Sequence, residues 1–184
     1  MLASIFIPFF TILVAELFDK SQVAILLLST KTHRLLHVFF GAMLAFLLVD
    51  GAAILFGAWI AEMIPLLYIK TASGLLFIAF GLLSLRHHKS QTKQISVKKN
   101  VFASSFLLIT VSEFGDKTQL ASAVFATNYP LMYVAIGVFS ALFILVVLAI
   151  LLGKFLANII KPQSLTLASG VIFILLGVLF LISA

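Results

Sequence analysis

Six apolar runs dominate this chain, and each is long enough to cross a lipid bilayer. A transmembrane helix needs about 20 consecutive, mostly apolar residues. The runs cover residues 4–30, 35–60, 66–85, 101–127, 131–152 and 165–183. Because apolar residues are continuous within each run and do not alternate with polar ones, they argue against a membrane β-barrel. We therefore predict an all-α integral membrane protein with six transmembrane helices.

The composition agrees with a membrane protein and excludes several soluble classes. Of the 184 residues, 63% are hydrophobic and 10% are charged, and the mean hydropathy is +1.26. Too few polar side chains remain to cover a soluble domain, and this hydrophobicity also excludes a disordered chain. The chain has no Cys, which excludes thiol catalysis and Cys-ligated metal sites. Since a nucleophile constellation and a sizeable aqueous region are also lacking, a membrane enzyme is disfavoured.

The charges outside the apolar runs predict how the chain is oriented. One long, basic stretch, residues 86–100, links a first half (1–85) to a second half (101–184). Nine cations lie in the first, third and fifth connections, whereas the opposite side has only Lys70. By the positive-inside rule, those three connections are cytoplasmic and both termini lie outside the cytoplasm. The formal net charge of +6 thus reports orientation and predicts no nucleic-acid partner.

One sequence motif occurs in both halves. Residues 16–22, ELFDKSQ, match residues 113–119, EFGDKTQ, at an offset of 97. An offset of 96 then aligns Gly41 with Gly137 and Gly74 with Gly170. Each half is thus a copy of one three-helix unit, and because three is odd, the second copy crosses the membrane in the opposite direction. This predicts an inverted repeat, as in many secondary transporters whose substrate site lies near the bilayer midplane.

Six charged side chains of the motif fall inside the predicted spans. Burying such a group at the centre of a span costs about 2.5–3.5 kcal/mol, so their presence indicates a function. In a regular helix, Glu16, Asp19 and Lys20 share one face, and the spacing of Glu16 and Lys20 favours an ion pair. The six residues are Glu16, Asp19, Lys20, Glu113, Asp116 and Lys117.

The motif side chains together offer ligands for a hard divalent cation. Four carboxylates and two ammonium groups give a net charge of −2 when all are ionised. The hydroxyl and amide oxygens of Ser21, Gln22, Thr118 and Gln119 add to them, and a helix break within the motif would turn the hydroxyls inward. Such oxygen ligands suit Mn²⁺, Ca²⁺ or Mg²⁺. Crowded, desolvated carboxylates also bind protons, and competition between protons and the cation is sufficient for antiport.

A further acid inside the spans, Asp50, has no counterpart in the second half, where Val146 takes its place. Two roles are open for it. Asp50 either supports the site as a positioning or proton-relay residue, or forms a salt bridge to Lys20 or Lys117. The repeat does not decide between these roles, because it offers no second acid for comparison.

The doubled motif resembles the signature of the Gdt family, also called uncharacterised protein family 0016. That signature is Glu, a hydrophobic residue, Gly, Asp, Lys or Arg, then Thr or Ser, once in each three-helix half. The resemblance spans the whole chain and implies a cation/proton exchanger whose bacterial relatives resemble manganese exporters. Phe18 departs from the signature, which has Gly at that position, as at Gly115. The resemblance implies cation binding by Glu16, Asp19, Glu113 and Asp116, supported by Ser21, Gln22, Thr118 and Gln119.

Together with this resemblance, the patterns predict a bacterial inner-membrane protein that exports a divalent cation in exchange for protons. The resemblance favours Mn²⁺, with Ca²⁺ as the second candidate. No cofactor is expected besides the transported cation, and the expected partners are the lipid bilayer, the cation and protons. Two alternatives stay open: an exporter of a cationic amino acid or another metal, as in lysine-exporter-like families, and a non-transporting membrane assembly subunit. The sequence leaves the oligomeric state open, a homodimer included.

Overall fold

The fold is described from a computed structural model that covers residues 2–17, 19–86, 100–159 and 162–182. These residues form eight α-helices and no β-strand. Phe18 and residues 87–99, which include most of the predicted linker, lie outside the described residues. In chain order the helices are α1 (Leu2–Glu16), α2 (Lys20–Thr30), α3 (Leu35–Met63), α4 (Leu66–Arg86), α5 (Val101–Glu113), α6 (Lys117–Asn128), α7 (Leu131–Ile159) and α8 (Pro162–Ile182).

Two of these helices are long and apolar enough to cross a membrane alone. They are α3 over Leu35–Met63 and α7 over Leu131–Leu151. Helices α1 and α2 meet the same criterion only as a pair, and they are bent by 62° at the break between them. The first and fourth apolar runs were predicted as single spans, but each is divided into two helices at the repeated motif.

The first helix of each half packs against the long helix of the other half. Helix α1 contacts α7, and α5 contacts α3. A glycine lies in the contact in both cases, and a Cβ at Gly41 would lie 2.7 Å from the carbonyl oxygen of Phe102. A Cβ at Gly137 would likewise lie 2.5 Å from the carbonyl oxygen of Ile5. Since these pairs are repeat counterparts, one contact occurs twice with the two halves exchanged.

Helices α4 and α8 pack against each other along their small residues. Gly74 faces Gly177, and Gly81 faces Gly170, with each backbone close to the other. As the residue number rises along α4 it falls along α8, so the two helices are antiparallel. Small residues at such positions let two helix backbones come close, which is typical of helix pairs in membranes.

A buried aromatic cluster fills the space between α4, α6 and α8. Phe77 stacks on its repeat counterpart Phe173 and on Phe180, with ring centroids 5.6 Å apart in both pairs. Phe125 of α6 packs against Phe77 at 5.4 Å. Phe77, Phe125 and Phe173 have no solvent-exposed surface. The cluster therefore fixes α6, the helix that begins at the second motif, against the pair α4 and α8.

Candidate functional site

Both copies of the motif lie where a helix is interrupted. Helix α1 ends at Glu16 and α2 begins at Lys20, while α5 ends at Glu113 and α6 begins at Lys117. At each break the backbone N–H of the motif Asp donates to the carbonyl of the motif Glu, three residues earlier, at 3.0 Å. A hydrogen bond between residues three apart here replaces the α-helical bond between residues four apart. At the two breaks together, two helices end and two begin.

Gly115 accounts for the break in the second copy. Its φ is +78°, in the left-handed region that residues with a Cβ rarely adopt. Its backbone N–H donates to Oε1 of Gln119 at 2.7 Å, which ties the break to the first turn of α6. The counterpart of Gly115 in the first copy is Phe18, a position outside the described residues.

The breaks turn the motif hydroxyls toward the motif carboxylates. Ser21 Oγ donates to Glu16 Oε2 at 2.9 Å. Thr118 Oγ1 lies 3.5 Å from Glu113 Oε2 and 3.4 Å from Asp116 Oδ2. The shared face expected of a regular helix does not hold here, because neither motif is a continuous helix. The alternative that the sequence left open, a broken helix with inward hydroxyls, describes both copies.

Three of the four motif carboxylates converge from the two halves. Glu16, Asp19 and Asp116 each place one carboxylate oxygen within 4.8 Å of the other two. In the part of the chain that the structure describes, no other trio of His, Asp or Glu side chains is close enough to hold a metal ion. Glu113 lies beside the trio, because Thr118 Oγ1 is within 3.5 Å of both Glu113 Oε2 and Asp116 Oδ2. The structure thus brings the four predicted ligands into one region.

The two glutamates of this cluster are buried, so an ionised carboxylate there is unfavourable without a partner. Glu16 is 0% exposed and Glu113 is 2% exposed. Oε1 of Glu16 has no hydrogen-bond partner among the described residues. A buried carboxylate oxygen of this kind is stabilised by a cation or by a proton. The cluster can therefore accept either one, and the two exclude each other at the same oxygen.

Lys117 forms an ion pair that joins the two halves. Its Nζ lies 3.0 Å from Oδ2 of Asp19. The sequence spacing favoured a pair within one motif, between Glu16 and Lys20, and that pair stays a prediction. The side chain of Lys20, the counterpart of Lys117, lies outside the described residues.

Asp50 lies on α3 and contacts α6, the helix that begins at the second motif. It is 1% exposed, and its Oδ1 accepts a hydrogen bond of 3.0 Å from Ser122 Oγ on α6. Its Oδ2 has no hydrogen-bond partner among the described residues. A salt bridge to Lys117 is not formed, since that lysine pairs with Asp19. Ser122 was not predicted, although its position one helical turn after Thr118 places two hydroxyls on one face of α6.

The two motif glutamines have different surroundings. Gln119 is held by Gly115, and its Nε2 lies 3.5 Å from the carbonyl oxygen of Val49. Gln22 is 5% exposed, and neither atom of its amide has a hydrogen-bond partner among the described residues. It lines a cavity of about 30 Å³ together with Leu145 and other apolar side chains. The polar residues around the carboxylates are therefore not arranged identically in the two halves.

Comparison with known proteins gives matches along almost the whole chain. Residues 4–92 and 101–184 match the family described as "Divalent cation/proton antiporter GDT1". A GDT1-like protein of Schizosaccharomyces pombe is 24% identical over 90% of the chain and 84% of its own length. A Vibrio cholerae protein named "Putative manganese exporter" is 25% identical over 80% of the chain and 75% of its own length.

A shorter and more similar match covers part of the chain. GDT1-like protein 3 of Arabidopsis thaliana is 35% identical over 40% of the chain, which corresponds to 25% of that protein. No solved structure gives a significant match to the chain.

Proposed function

Because the chain belongs to the divalent cation/proton antiporter GDT1 family, we propose that it exports Mn²⁺ from the cytoplasm in exchange for protons. The convergence of Glu16, Asp19 and Asp116 from both halves carries this proposal. Carboxylate oxygens suit a hard divalent cation, and without Cys the chain has no thiolate for a soft one. The similarity to the Vibrio cholerae protein named as a manganese exporter favours Mn²⁺ over Ca²⁺ as the substrate.

In this proposal the cation and protons occupy the same oxygens in turn. The cation binds when the motif carboxylates are ionised, and protons take its place when it leaves. Unpartnered Oε1 of Glu16 supports such exchange, because a buried oxygen needs one of the two partners. The proposed cation ligands are Glu16, Asp19, Glu113 and Asp116, and the supporting residues are Ser21, Gln22, Thr118 and Gln119.

We place the site at the centre of an inverted repeat of two three-helix units. Under this proposal, α1 with α2 forms one broken span and α5 with α6 forms another, so that six spans comprise eight helices. The reciprocal packing of α1 on α7 and of α5 on α3 supports this arrangement. Broken helices that end at the substrate are a recurrent feature of transporters with inverted repeats. One half could then rock against the other around the cation.

The same proposal includes a location and an orientation. We infer a bacterial inner-membrane protein whose basic connections face the cytoplasm and whose termini face the other side. The asymmetry of the nine cations against Lys70 supports this orientation. Export then means that the cation enters the site from the side of the basic connections.

Asp50 is the proposed proton relay beside the cation ligands. It lies on α3 against α6, whose Thr118 is 3.5 Å from Glu113, and this neighbourhood supports a common proton path. Oδ2 of Asp50 is buried and has no partner among the described residues, while Ser122 holds the other oxygen. A carboxyl group held in this way can take up and release a proton without moving its hydrogen-bonded oxygen.

Transport by the purified full chain in proteoliposomes tests the proposal. We expect an imposed pH gradient to drive Mn²⁺ movement, and we expect lysine not to move under the same conditions. The same vesicles loaded with Ca²⁺, Mg²⁺ or Zn²⁺ rank the cations. Movement of lysine without any divalent cation would favour the amino-acid exporter, and the absence of all flux would favour an assembly subunit.

Two variants distinguish the site from the rest of the chain. Glu16→Gln removes a buried ligand and keeps the size of the side chain, so we expect Mn²⁺ transport to be lost. Glu62→Gln is the matched control, because Glu62 is an exposed acid at the end of α3. Equal transport by the two variants would contradict the proposed site.

A further inference from the structure

Lys117 places a positive charge among the carboxylates of the proposed cation site. Its Nζ is 3.0 Å from Oδ2 of Asp19, with the side chains 22% and 18% exposed. Glu16 and Asp116 also act on this ammonium group electrostatically. The three acids that interact with Lys117 are therefore the three whose oxygens are close enough to hold a metal ion.

Two cations cannot share these ligands without strong repulsion. Like charges repel more strongly at a poorly solvated site, because little water screens them. Yet the carboxylates cannot stay ionised in an apolar surrounding without a nearby positive charge. A single ammonium group that moves reversibly would avoid both the repulsion and the unpaired charge. It would neutralise Asp19 in the empty site and move away when the divalent cation binds.

We propose that Lys117 is a tethered competitor of the transported cation. This inference rests on the proposed function, because it assigns a role within the same site. When the divalent cation binds, the ammonium group of Lys117 leaves Asp19. When the ammonium group returns to Asp19, it helps to expel the cation. Lys117 begins α6 in the second half and Asp19 precedes α2 in the first half, so the exchange also makes and breaks a contact between the halves.

A purely structural ion pair predicts the opposite effect on binding. If Lys117 only held Asp19 in place, removing the ammonium would loosen a ligand and weaken cation binding. If Lys117 competes, removing the ammonium leaves the site more negative, and cation binding becomes tighter. The sign of the change in affinity therefore distinguishes the two roles.

The first experiment measures Mn²⁺ binding to the detergent-solubilised full chain, using the loss of the electron paramagnetic resonance signal of free Mn²⁺. We expect Lys117→Met to bind Mn²⁺ at least about tenfold more tightly than the wild type. We also expect its Mn²⁺/Mn²⁺ exchange in proteoliposomes to be slower, because the cation leaves less readily. Lys70→Met, a change to a lysine of α4, serves as the control and should leave both quantities unchanged.

A second variant tests the charge within one folded protein. Since the chain has no Cys, Lys117→Cys introduces a single thiol. Reaction with aminoethyl methanethiosulfonate then attaches an ammonium group through a disulfide, whereas methyl methanethiosulfonate attaches a neutral group. We expect the first reagent to weaken Mn²⁺ binding relative to unmodified Lys117→Cys, and we expect the neutral reagent not to weaken it.

The outcomes separate this inference from the proposed function. Unchanged or weaker Mn²⁺ binding by Lys117→Met, with an unchanged melting temperature, would overturn the competitor role. So would equal effects of the two thiol reagents. If the wild type itself bound no Mn²⁺, or if Glu16→Gln bound it normally, the proposed function would fail instead.

Discussion

Ser122 donates a hydrogen bond of 3.0 Å to Asp50, and the repeat counterparts of these two residues are Ile25 and Val146. Ile25 and Val146 are fully buried apolar side chains. The contact of α3 with α6 therefore contains a polar pair that the related contact of α2 with α7 lacks. In the proposed mechanism, α3 and α6 are therefore the side of the site where a proton is passed on.

Replacing Asp50 should separate proton movement from cation movement. Asp50→Asn keeps the size of the side chain and an oxygen that can accept from Ser122, but it cannot exchange a proton. We expect proton-driven Mn²⁺ transport to slow by about 100-fold or more, because a positioned proton-transfer group typically contributes about 10²–10⁴-fold. Mn²⁺/Mn²⁺ exchange, which moves no net protons, should stay near the wild-type rate in the same vesicles.

A matched serine variant on α5 controls for packing against the same helix, α3. Ser105 is buried and its Oγ donates to the carbonyl of Val38 on α3 at 2.8 Å, with no acid involved. Ser122→Ala should slow proton-driven transport, while Ser105→Ala should affect only stability. If Asp50→Asn slowed both transport modes to the same extent, Asp50 would be a ligand or a structural residue and not a relay.

Mn²⁺ affinity should rise with pH. Protons and Mn²⁺ compete for the motif carboxylates, so fewer bound protons leave more ionised oxygens, and binding releases protons. Titrations of the purified chain at several pH values, read as proton release per bound Mn²⁺, measure the effect. Glu113→Gln removes one exchangeable proton and should make the affinity less dependent on pH. A pH-independent affinity of the wild type would be incompatible with competition.

The left-handed backbone at Gly115 should tolerate no side chain without loss of stability. Gly115→Ala introduces a Cβ at φ +78°, and we expect it to destabilise the protein by about 1–2 kcal/mol. Space is not the cause, because a Cβ there would meet nothing within 4 Å. Thermal unfolding in detergent measures the change. Gly51→Ala is the control, since its Cβ would make only an ordinary contact of 3.7 Å with Phe139.

An added methyl group should destabilise the protein equally at the two glycine contacts between the halves. Gly41→Ala and Gly137→Ala each force a Cβ against a backbone carbonyl oxygen, of Phe102 and Ile5 respectively. Overpacking of this kind costs about 1–3 kcal/mol, and we expect similar decreases in melting temperature for the two variants. A large decrease in only one of them would contradict the reciprocal packing of the halves.

Sequence patterns predicted the helical fold and singled out the three acids that the structure brings together, because both depend on residue type. Long apolar runs require helices in a bilayer, and a repeated set of buried acids is too costly to lack a function. The position of the break was not predictable from periodicity, since φ at Gly115 depends on the local turn.

The contacts between the two halves could not be predicted from the sequence, for a different physical reason. The pairs formed by Lys117 with Asp19 and by Ser122 with Asp50 join residues more than one helix apart. Their formation depends on which helices pack together, and the hydrophobic pattern does not specify that choice. The surroundings of Gln22 also depend on helix packing. Its position in the motif predicts the same surroundings as for Gln119, yet its amide has no hydrogen-bond partner among the described residues.

The stacking of Phe77 on Phe173 has a consequence for how such a protein can evolve. A residue that touches its own counterpart makes the contact that two identical chains would make in a homodimer. In such a dimer every substitution would occur twice, once in each subunit. A single polypeptide that contains both copies can change one and keep the other, as Asp50 and Val146 illustrate. Joining the halves thus permits the two sides of the protein to become functionally unequal.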